Sequence, residues 1–180
     1  MNNSKTKAII ILGSARSDGN TSKITSYISE KFNIEIIDLL EANIGFFDYN
    51  FHNQHDDFLS IAEKMLDHQL IIFATPVYWY SMSGVMKNFF DRFTDLLLLK
   101  KDLGKKFHGK DMFIVSCGSS ETPIEGFFMP FEKTSEYLKM NYKGGVHTWF
   151  DKQHETIPLK AKRQLEKLIR LLEEKVPEIL

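Results

Sequence analysis

Short apolar runs alternate along the chain with segments whose apolar residues recur every three or four positions. The first run, from Lys7 to Gly13, is continuous and rich in isoleucine, which is typical of a strand buried on both faces. The same pattern predicts further strands over Ile34 to Leu40, Leu70 to Ala74, Met112 to Cys117 and Gly145 to Phe150.

Helical spacing predicts five helices between and after these strands. The first begins near Asn20, Thr21 and Ser22, whose side chains are good N-terminal caps. A second segment begins after Ser83 and Gly84 and is predicted as one helix to Leu97. The other three helices are predicted over Phe58 to Leu66, Pro130 to Met140 and Ala161 to Val176.

This alternating order predicts a parallel sheet covered by helices on both faces, with right-handed crossovers. Five strands and five helices match the flavodoxin-like doubly wound α/β fold, whose strand order is 2-1-3-4-5. No repeat or linker divides the chain, so residues 1–180 are expected to form a single domain. Ligands of such sheets bind at the carboxyl ends of the strands, between the first and third. The loops after Leu12, Ala74 and Cys117 are therefore the candidate site.

The loop after the first strand has the composition of an anion-binding loop. It reads Gly13-Ser-Ala-Arg-Ser-Asp-Gly-Asn-Thr-Ser22 and leads directly into a helix. Backbone N–H groups and the positive end of a helix dipole converge there, and Arg16 adds a planar charged fork. Because the Walker A lysine and the G-x-G-x-x-G spacing are absent, the loop suits one terminal phosphate monoester. The alternative is a capped turn whose Arg16 points into water.

The loop after the third strand is rich in aromatic residues. It reads Ala74-Thr-Pro-Val-Tyr-Trp-Tyr-Ser-Met-Ser-Gly84. Rings and backbone groups at a crevice can line a planar heterocycle and hydrogen-bond its edge. The alternative is that Tyr78 and Trp79 are core aromatics that close the end of the sheet.

Together these loops resemble those of the NADPH-dependent FMN reductase-like family of flavodoxin-like proteins, which includes iron-sulfur flavoproteins. The shared patterns are G-S-x-R-x-x-G-N-T and P-V-Y-W…S-G-x-x-K-x-F-x-D-R, and the similarity spans Lys7 to Phe150. The resemblance implies that the first loop holds the FMN phosphate and that the other two border the isoalloxazine. The cofactor-binding residues it implies are Ser14, Arg16, Gly19, Asn20, Thr21, Ser22, Pro76, Val77, Tyr78, Trp79, Cys117, Gly118, Ser119 and Ser120.

The chain departs from its iron-sulfur relatives in its cysteine content. Those relatives place a cysteine cluster between the second strand and the second helix, where this chain has Gly45 to His55 and no cysteine. Its one cysteine, Cys117, cannot hold a [4Fe–4S] cluster alone. We interpret Cys117 as a packed residue rather than a reactive thiol beside the flavin.

Three other groups of polar residues have ordinary interpretations. His52, His55 and Asp56 are interpreted as loop and helix-cap residues, because no matching ligand set for a metal accompanies them. Lys87, Asp91 and Arg92 are expected to pair on a helix surface. His147 and Glu121 lie near predicted strand ends and receive no proton-transfer role.

Composition and charge limit the partners. The chain has 23 Lys and Arg against 24 Asp and Glu, a formal net charge of −1, so neither nucleic acid nor a membrane is an expected partner. The single cysteine and the lack of a signal-peptide or membrane-spanning run predict a soluble cytoplasmic protein.

The resemblance implies an enzyme, an FMN-dependent NAD(P)H oxidoreductase. It would take hydride from NADH or NADPH and pass electrons to a quinone, flavin, nitroaromatic or similar acceptor. Hydride transfer needs no side-chain base, so no catalytic residue is assigned. Two alternatives remain, a flavodoxin-type electron carrier and a non-catalytic flavin-binding module. The near-neutral charge is unlike the acidic surface expected of such a carrier.

The 15 phenylalanines fall into two groups. Those in core stripes are Phe32, Phe58, Phe73, Phe89, Phe93 and Phe113. Those in or beside loops are Phe46, Phe47, Phe51, Phe127, Phe128 and Phe131. Because exposed apolar clusters mark interfaces, the second group predicts a homodimer whose partner loops help cover the flavin.

Overall fold

The computed structural model describes residues 8–122, 125–150 and 156–175. The strands are β1 (Ala8–Leu12), β2 (Glu35–Asp38), β3 (Leu70–Tyr78), β4 (Ser81–Met82), β5 (Asp111–Gly118) and β6 (Asn141–Trp149). The helices are α1 (Asn20–Phe32), α2 (Phe58–Leu66), α3 (Gly84–Asp91), α4 (Phe93–Leu98), α5 (Lys101–Lys105), α6 (Met129–Tyr137) and α7 (Leu159–Lys175). The first predicted strand begins at Lys7 and the last predicted helix ends at Val176. Both residues lie outside the described ranges.

The five long strands are parallel and lie in the order β2-β1-β3-β5-β6. The short β4 is an antiparallel addition to β3. Without β4 this is the predicted 2-1-3-4-5 order, and the flavodoxin-like prediction is confirmed. Within the described ranges, no helix is both long and apolar enough to cross a membrane.

Alternate residues of the central strands face two apolar layers. Ile10 and Ile72 belong to a layer that includes α1 and α7, whereas Ile11 and Phe73 belong to one that includes α2, α3, α4 and α6. All residues of β1 are buried, as are most of those in β3 and β5. Burial on both faces is the reason that these strands are continuous apolar runs.

The structure differs from the prediction after β3. The single helix predicted to Leu97 is two helices, α3 and α4, which are separated at Arg92. Arg92 is 1% exposed, so its expected role on the helix surface is wrong, while Lys87 and Asp91 do form the expected exposed ion pair. The strand predicted to end at Ala74 continues into the hairpin with β4, and neither β4 nor α5 was predicted.

Buried Arg92 fastens the long segment between β2 and α2 to the rest of the protein. Its guanidinium donates hydrogen bonds to the carbonyl oxygens of Gly45 at 2.9 Å and Asn53 at 2.7 Å. It also forms ion pairs with the buried carboxylates of Asp56 and Asp95. A buried cation is tolerated here because these oxygens replace its hydration.

Asp56 also contacts the start of α2, although the N-cap itself is Asp57. Its carboxylate accepts hydrogen bonds from the N–H groups of Phe58 at 3.1 Å and Gly45 at 2.9 Å. Burial alone would raise the pKa of Asp56, but hydrogen bonds from Arg92 and these two N–H groups outweigh it and lower the pKa. The ionised carboxylate therefore stabilises the fold above its ordinary pKa, and this contribution is lost as the pH falls through the lowered pKa.

Two phenylalanines were assigned to the wrong group. Phe127 and Phe131 are 5% and 0% exposed, so their assignment to an exposed loop cluster is wrong. Phe131 lies on the buried face of α6, and its ring meets that of Phe90 edge to face at a centroid distance of 5.3 Å. Phe46, by contrast, is 81% exposed.

Replacing Arg92 with Met is expected to lower the free energy of unfolding by about 3–5 kcal/mol, because Asp56 and Asp95 would stay buried without their cation. Urea unfolding at pH 7 measures the loss. Lys87→Met is the matched control, since its ion pair with Asp91 is exposed and is expected to contribute less than about 1 kcal/mol. Equal losses in the two variants would contradict the role assigned to Arg92.

Candidate functional site

Three loops meet at the carboxyl edge of the sheet, after β1, β3 and β5. The N–H of Gly13 donates to the carbonyl of Ala74 at 2.9 Å, which joins the ends of β1 and β3. Pro76 pairs with Cys117, so the end of β5 lies beside that of β3. The chain continues from β1 toward one side of the sheet and from β3 toward the other, which makes this edge the switch point.

Buried Ser83 ties the first two loops together. Its hydroxyl donates to the carbonyl of Gly13 at 2.7 Å and accepts from the N–H of Met86 at 3.0 Å, which caps α3. Its own N–H donates to the hydroxyl of Thr75 at 3.0 Å. Glycine is required at position 13, because an added Cβ would lie 2.8 Å from the side chain of Met86.

The loop after β1 leads into the N-terminus of α1. Gly19 is the N-cap and has no side chain with which to cap the N–H groups of Asn20, Thr21 and Ser22. Arg16 folds back over this point, with its Nε and Nη2 atoms 3.6 Å from the position that a Cβ of Gly19 would occupy. Because the first turn of α1 contains no acidic residue, the helix dipole and the guanidinium reinforce each other.

An inner cavity of about 270 Å³ brings most of the predicted residues together. Its lining residues are Ser14, Arg16, Gly19, Asn20, Thr21, Pro76, Val77, Tyr78, Cys117, Gly118, Ser119 and Phe150. All of them lie in the described part of the chain, and none is acidic. Ser22 is not among the lining residues, although it lies in the first turn of α1 beside Asn20 and Thr21, which are.

An outer cavity of about 440 Å³ adjoins the inner one. The two cavities share Val77, Gly118 and Ser119, and the outer one is also lined by Trp79, Tyr80, Ser120, Thr122 and His147. The predicted residues Trp79 and Ser120 therefore lie at the outer cavity, away from the phosphate-type loop. Trp79 is 92% exposed, which rules out the alternative that it closes the core.

Trp79 and Tyr80 form the two-residue turn between β3 and β4. Both have positive φ angles, 46° and 67°, so the hairpin has a type I′ turn. Such turns favour Asn and Gly, because a side chain in the left-handed region costs about 1–2 kcal/mol per residue. Tyr80 is 72% exposed and Trp79 is more so, and therefore burial of the rings does not offset this cost.

The imidazole of His147 fastens the loop after β5. Its Nε2 lies 2.9 Å from the carbonyl oxygen of Ser120, and since a carbonyl only accepts, Nε2 carries the proton and donates it. The hydroxyl of Ser116 then donates to Nδ1 at 2.8 Å. The ring passes close to Gly118, where an added Cβ would lie 3.0 Å from its Cε1 atom. One side chain on β6 thus links β5 to the wall of the outer cavity.

Cys117 packs as predicted. It is 4% exposed, and burial raises the pKa of its thiol to about 11, against weaker lowering by hydrogen bonds with Thr148 and Thr21. The sulfur is therefore protonated at neutral pH, which is the unreactive form of a cysteine.

Four residues that line the cavities were not in the predicted set, and one of them, Tyr80, directly follows the predicted Trp79. Phe150 follows β6 directly, and the rule that selected the other strand ends would have found it. His147 pairs in register with Ser116, so a strand alignment would have brought the two together. Thr122 lies in a loop with no pattern that identifies it.

A third cavity, of about 500 Å³, lies between β6 and α7. Its basic residues are Lys143, Arg163, Lys167 and Arg170. Glu166 and Glu174 line the same cavity, and Glu166 lies 3.7 Å from the guanidinium of Arg170. Its four bases outnumber its two acids, but its lining includes neither the carboxyl edge of the sheet nor the first turn of a helix, so it lacks the backbone N–H donors of the inner cavity.

Comparison with known proteins finds a matching family and several relatives. Residues 6–153 match the NADPH-dependent FMN reductase family. The putative NAD(P)H-dependent FMN-containing oxidoreductase YwqN of Bacillus subtilis is 31% identical over 150 residues, which are 78% of this chain and 83% of that protein. The FMN-dependent NADPH-azoreductase of Staphylococcus aureus is 32% identical over 95 residues, 47% of this chain and 50% of that protein. Among solved structures, the Trp repressor binding protein of Bacillus subtilis has a TM-score of 0.68 at 26% identity, and the match covers 97% of this chain and 100% of that one.

Replacing His147 with Leu is expected to lower the free energy of unfolding by about 1–3 kcal/mol, because the Ser120 carbonyl and the Ser116 hydroxyl lose their partner. His147→Gln keeps a side-chain N–H that can reach the Ser120 carbonyl, so a smaller loss is expected. Urea unfolding of the purified variants measures both values. Equal losses of unfolding free energy in His147→Leu and His147→Gln would contradict a hydrogen-bonding role for His147.

Proposed function

The chain belongs to the NADPH-dependent FMN reductase family, and we propose that the carboxyl edge of its sheet is where it binds FMN. The protein is an FMN-dependent NAD(P)H oxidoreductase, and its family does not favour the electron carrier or the non-catalytic module. We propose a small planar quinone, flavin, nitroaromatic or similar compound as its acceptor. The main support for this location is the N-terminus of α1. No N-cap side chain occupies its backbone N–H groups, and Arg16 lies close to them.

The inner cavity fits a terminal phosphate. The N–H groups of Asn20, Thr21 and Ser22 supply donors, and Arg16 supplies a charged fork. Ser14 accepts a hydrogen bond from the N–H of Arg16 at 3.3 Å, and its own O–H remains a donor. With no acidic residue in the lining, nothing there repels a dianion.

The remaining walls suit the flat ring of FMN. Pro76 to Tyr78 and Gly118 to Ser120 line the two cavities at the neighbouring ends of β3 and β5, and their backbone groups can hydrogen-bond the edge of a heterocycle. Bound FMN would supply the redox chemistry, by accepting hydride from the nicotinamide and passing electrons to the acceptor. The residues of this chain would bind the phosphate, orient the ring and leave one side open to the outer cavity. No side chain is needed as an acid or base.

Wild-type protein is expected to turn yellow with FMN and to oxidise NADPH or NADH when a quinone is present. Arg16→Gln is expected to raise the FMN Kd about tenfold, since a hydrogen bond from a charged group contributes about 1.5–3 kcal/mol. Riboflavin lacks the phosphate, so its Kd should change by no more than about twofold. Flavin fluorescence measures both constants.

The control for this test is Lys31→Gln, which removes a positive charge at the other end of α1 and should leave both constants unchanged. Equal weakening of FMN and riboflavin by Arg16→Gln would show that Arg16 does not contact the phosphate. Wild-type protein that binds no flavin would contradict the proposed function itself.

We also propose a single domain over residues 1–180 and a cytoplasmic location. The one cysteine is buried and forms no disulfide, as is usual for proteins of reducing compartments. Recovery of the protein in the secreted fraction of its cells would contradict this location.

A homodimer is the proposed assembly. Phe46 and Tyr49 are 81% and 83% exposed, and they lie on the segment that Arg92 holds in place. Large apolar side chains that are exposed on a fastened segment suit an interface, and a second copy there would cover part of the flavin site.

Light scattering of the FMN-bound protein is expected to give twice the mass of one chain. The double variant Phe46→Ser, Tyr49→Ser should lower the measured mass to that of one chain, because it removes the apolar contact area. Leu159→Ser is the matched control, since Leu159 is 76% exposed on α7. A wild-type protein that binds FMN as a single chain would rule out the dimer.

A further inference from the structure

We propose that the Trp79–Tyr80 turn is a platform for the planar acceptor, and that the protein gives up stability to hold it. This inference rests on the proposed function, because it assigns the acceptor to the outer cavity beside the flavin. It reassigns Trp79, which the family resemblance implied as a flavin contact, to the acceptor, and adds Tyr80 beside it.

The turn places two adjacent side chains in the left-handed region, whereas the other non-glycine residues with positive φ in the described ranges, Asn33, Phe51 and Lys139, occur singly. Asn33 has φ 51° but ends α1, where its N–H donates to the carbonyl of Ser29, and Lys139 has φ 55° just after α6. Asn33 is also a residue type that tolerates this conformation. In the described ranges, Trp79 and Tyr80 are the only neighbouring residues that both adopt it. Asn-Gly would make the same turn without this cost.

The two rings are placed where a ligand can use them. Both line the outer cavity, which is also lined by the polar residues Ser120, Thr122 and His147. An aromatic face beside hydrogen-bond donors and acceptors suits a flat molecule with polar groups at its edge, such as a quinone.

The exposure of the rings favours the acceptor over the cofactor. The cofactor remains bound through many turnovers, and its proposed phosphate contacts lie in the inner cavity. The acceptor must enter and leave on each cycle, so its contacts have to be open to solvent. Trp79 is 92% exposed at the mouth of the site, which is the place for such a contact.

The double variant Trp79→Asn, Tyr80→Gly tests both halves of the proposal. Removing the unfavourable turn residues should raise the Tm of the FMN-saturated protein by about 3–6 °C. Loss of the rings should raise the KM for menadione, a planar naphthoquinone, about tenfold. The KM for ferricyanide, which has no ring to stack, and the FMN Kd should each change by no more than about twofold.

Two matched variants separate strain from ring contact. Trp79→Phe, Tyr80→Phe keeps aromatic rings and the strained turn, so both the Tm and the menadione KM should stay close to the wild-type values. Lys139→Gly relieves a positive φ angle of an exposed residue away from the cavities, so it should raise the Tm and leave the menadione KM unchanged.

An unchanged menadione KM in the Trp79→Asn, Tyr80→Gly variant would overturn the proposal, and so would a lowered Tm. A raised FMN Kd with an unchanged menadione KM would assign the rings to the cofactor instead, which also overturns it. Loss of the dimer with an unchanged menadione KM would assign them to a subunit interface, with the same consequence. These results all presuppose a wild-type protein that turns over, and a wild-type protein that reduces no acceptor would contradict the proposed function instead.

Discussion

The hydrogen bond from the Ser83 hydroxyl to the Gly13 carbonyl, 2.7 Å long and fully buried, is the contact on which the candidate site depends. It holds the phosphate-type loop against the start of α3, and the same hydroxyl caps that helix. Only glycine at position 13 allows the approach, because Met86 fills the space next to it. The inner cavity has its shape because two loops that are far apart in sequence are joined at this point.

Two side chains hold loops in place near the site, and a different segment beside it has a strained backbone. Arg92 and His147 each use buried hydrogen bonds to fasten a segment beside the site, and each side chain has more than one hydrogen-bond partner. The Trp79–Tyr80 turn has an unfavourable backbone conformation and exposed rings instead. Strain of this kind persists where the surrounding structure enforces it, and it tends to accumulate at sites that bind ligands. Here the paired strands β3 and β4 enforce it at a solvent-exposed part of the outer cavity.

The sequence was informative wherever one residue's environment depends on its near neighbours. Doubly buried strands appear as continuous apolar runs, and the rule for strand ends then selects the three loops of the site. Arg92 was misjudged because the apolar spacing of α3 continues into α4 across it, and nothing local shows that Asp56 lies within reach. Phe127 and Phe131 were misjudged because their burial depends on where α6 packs. The contact between His147 and Ser116 depends on the register of β5 and β6, and the left-handed turn depends on the pairing of β3 with β4.

The central claim is that FMN lies at the carboxyl edge of the sheet with its phosphate at the start of α1. Backbone amide chemical shifts, recorded by NMR during titration with FMN, test it most directly. The largest changes are expected at Asn20 to Ser22, Val77 to Tyr78 and Gly118 to Ser120, with inorganic phosphate alone shifting only the first of these groups. Changes centred on the basic groove between β6 and α7, around Lys143 and Lys167, would contradict it.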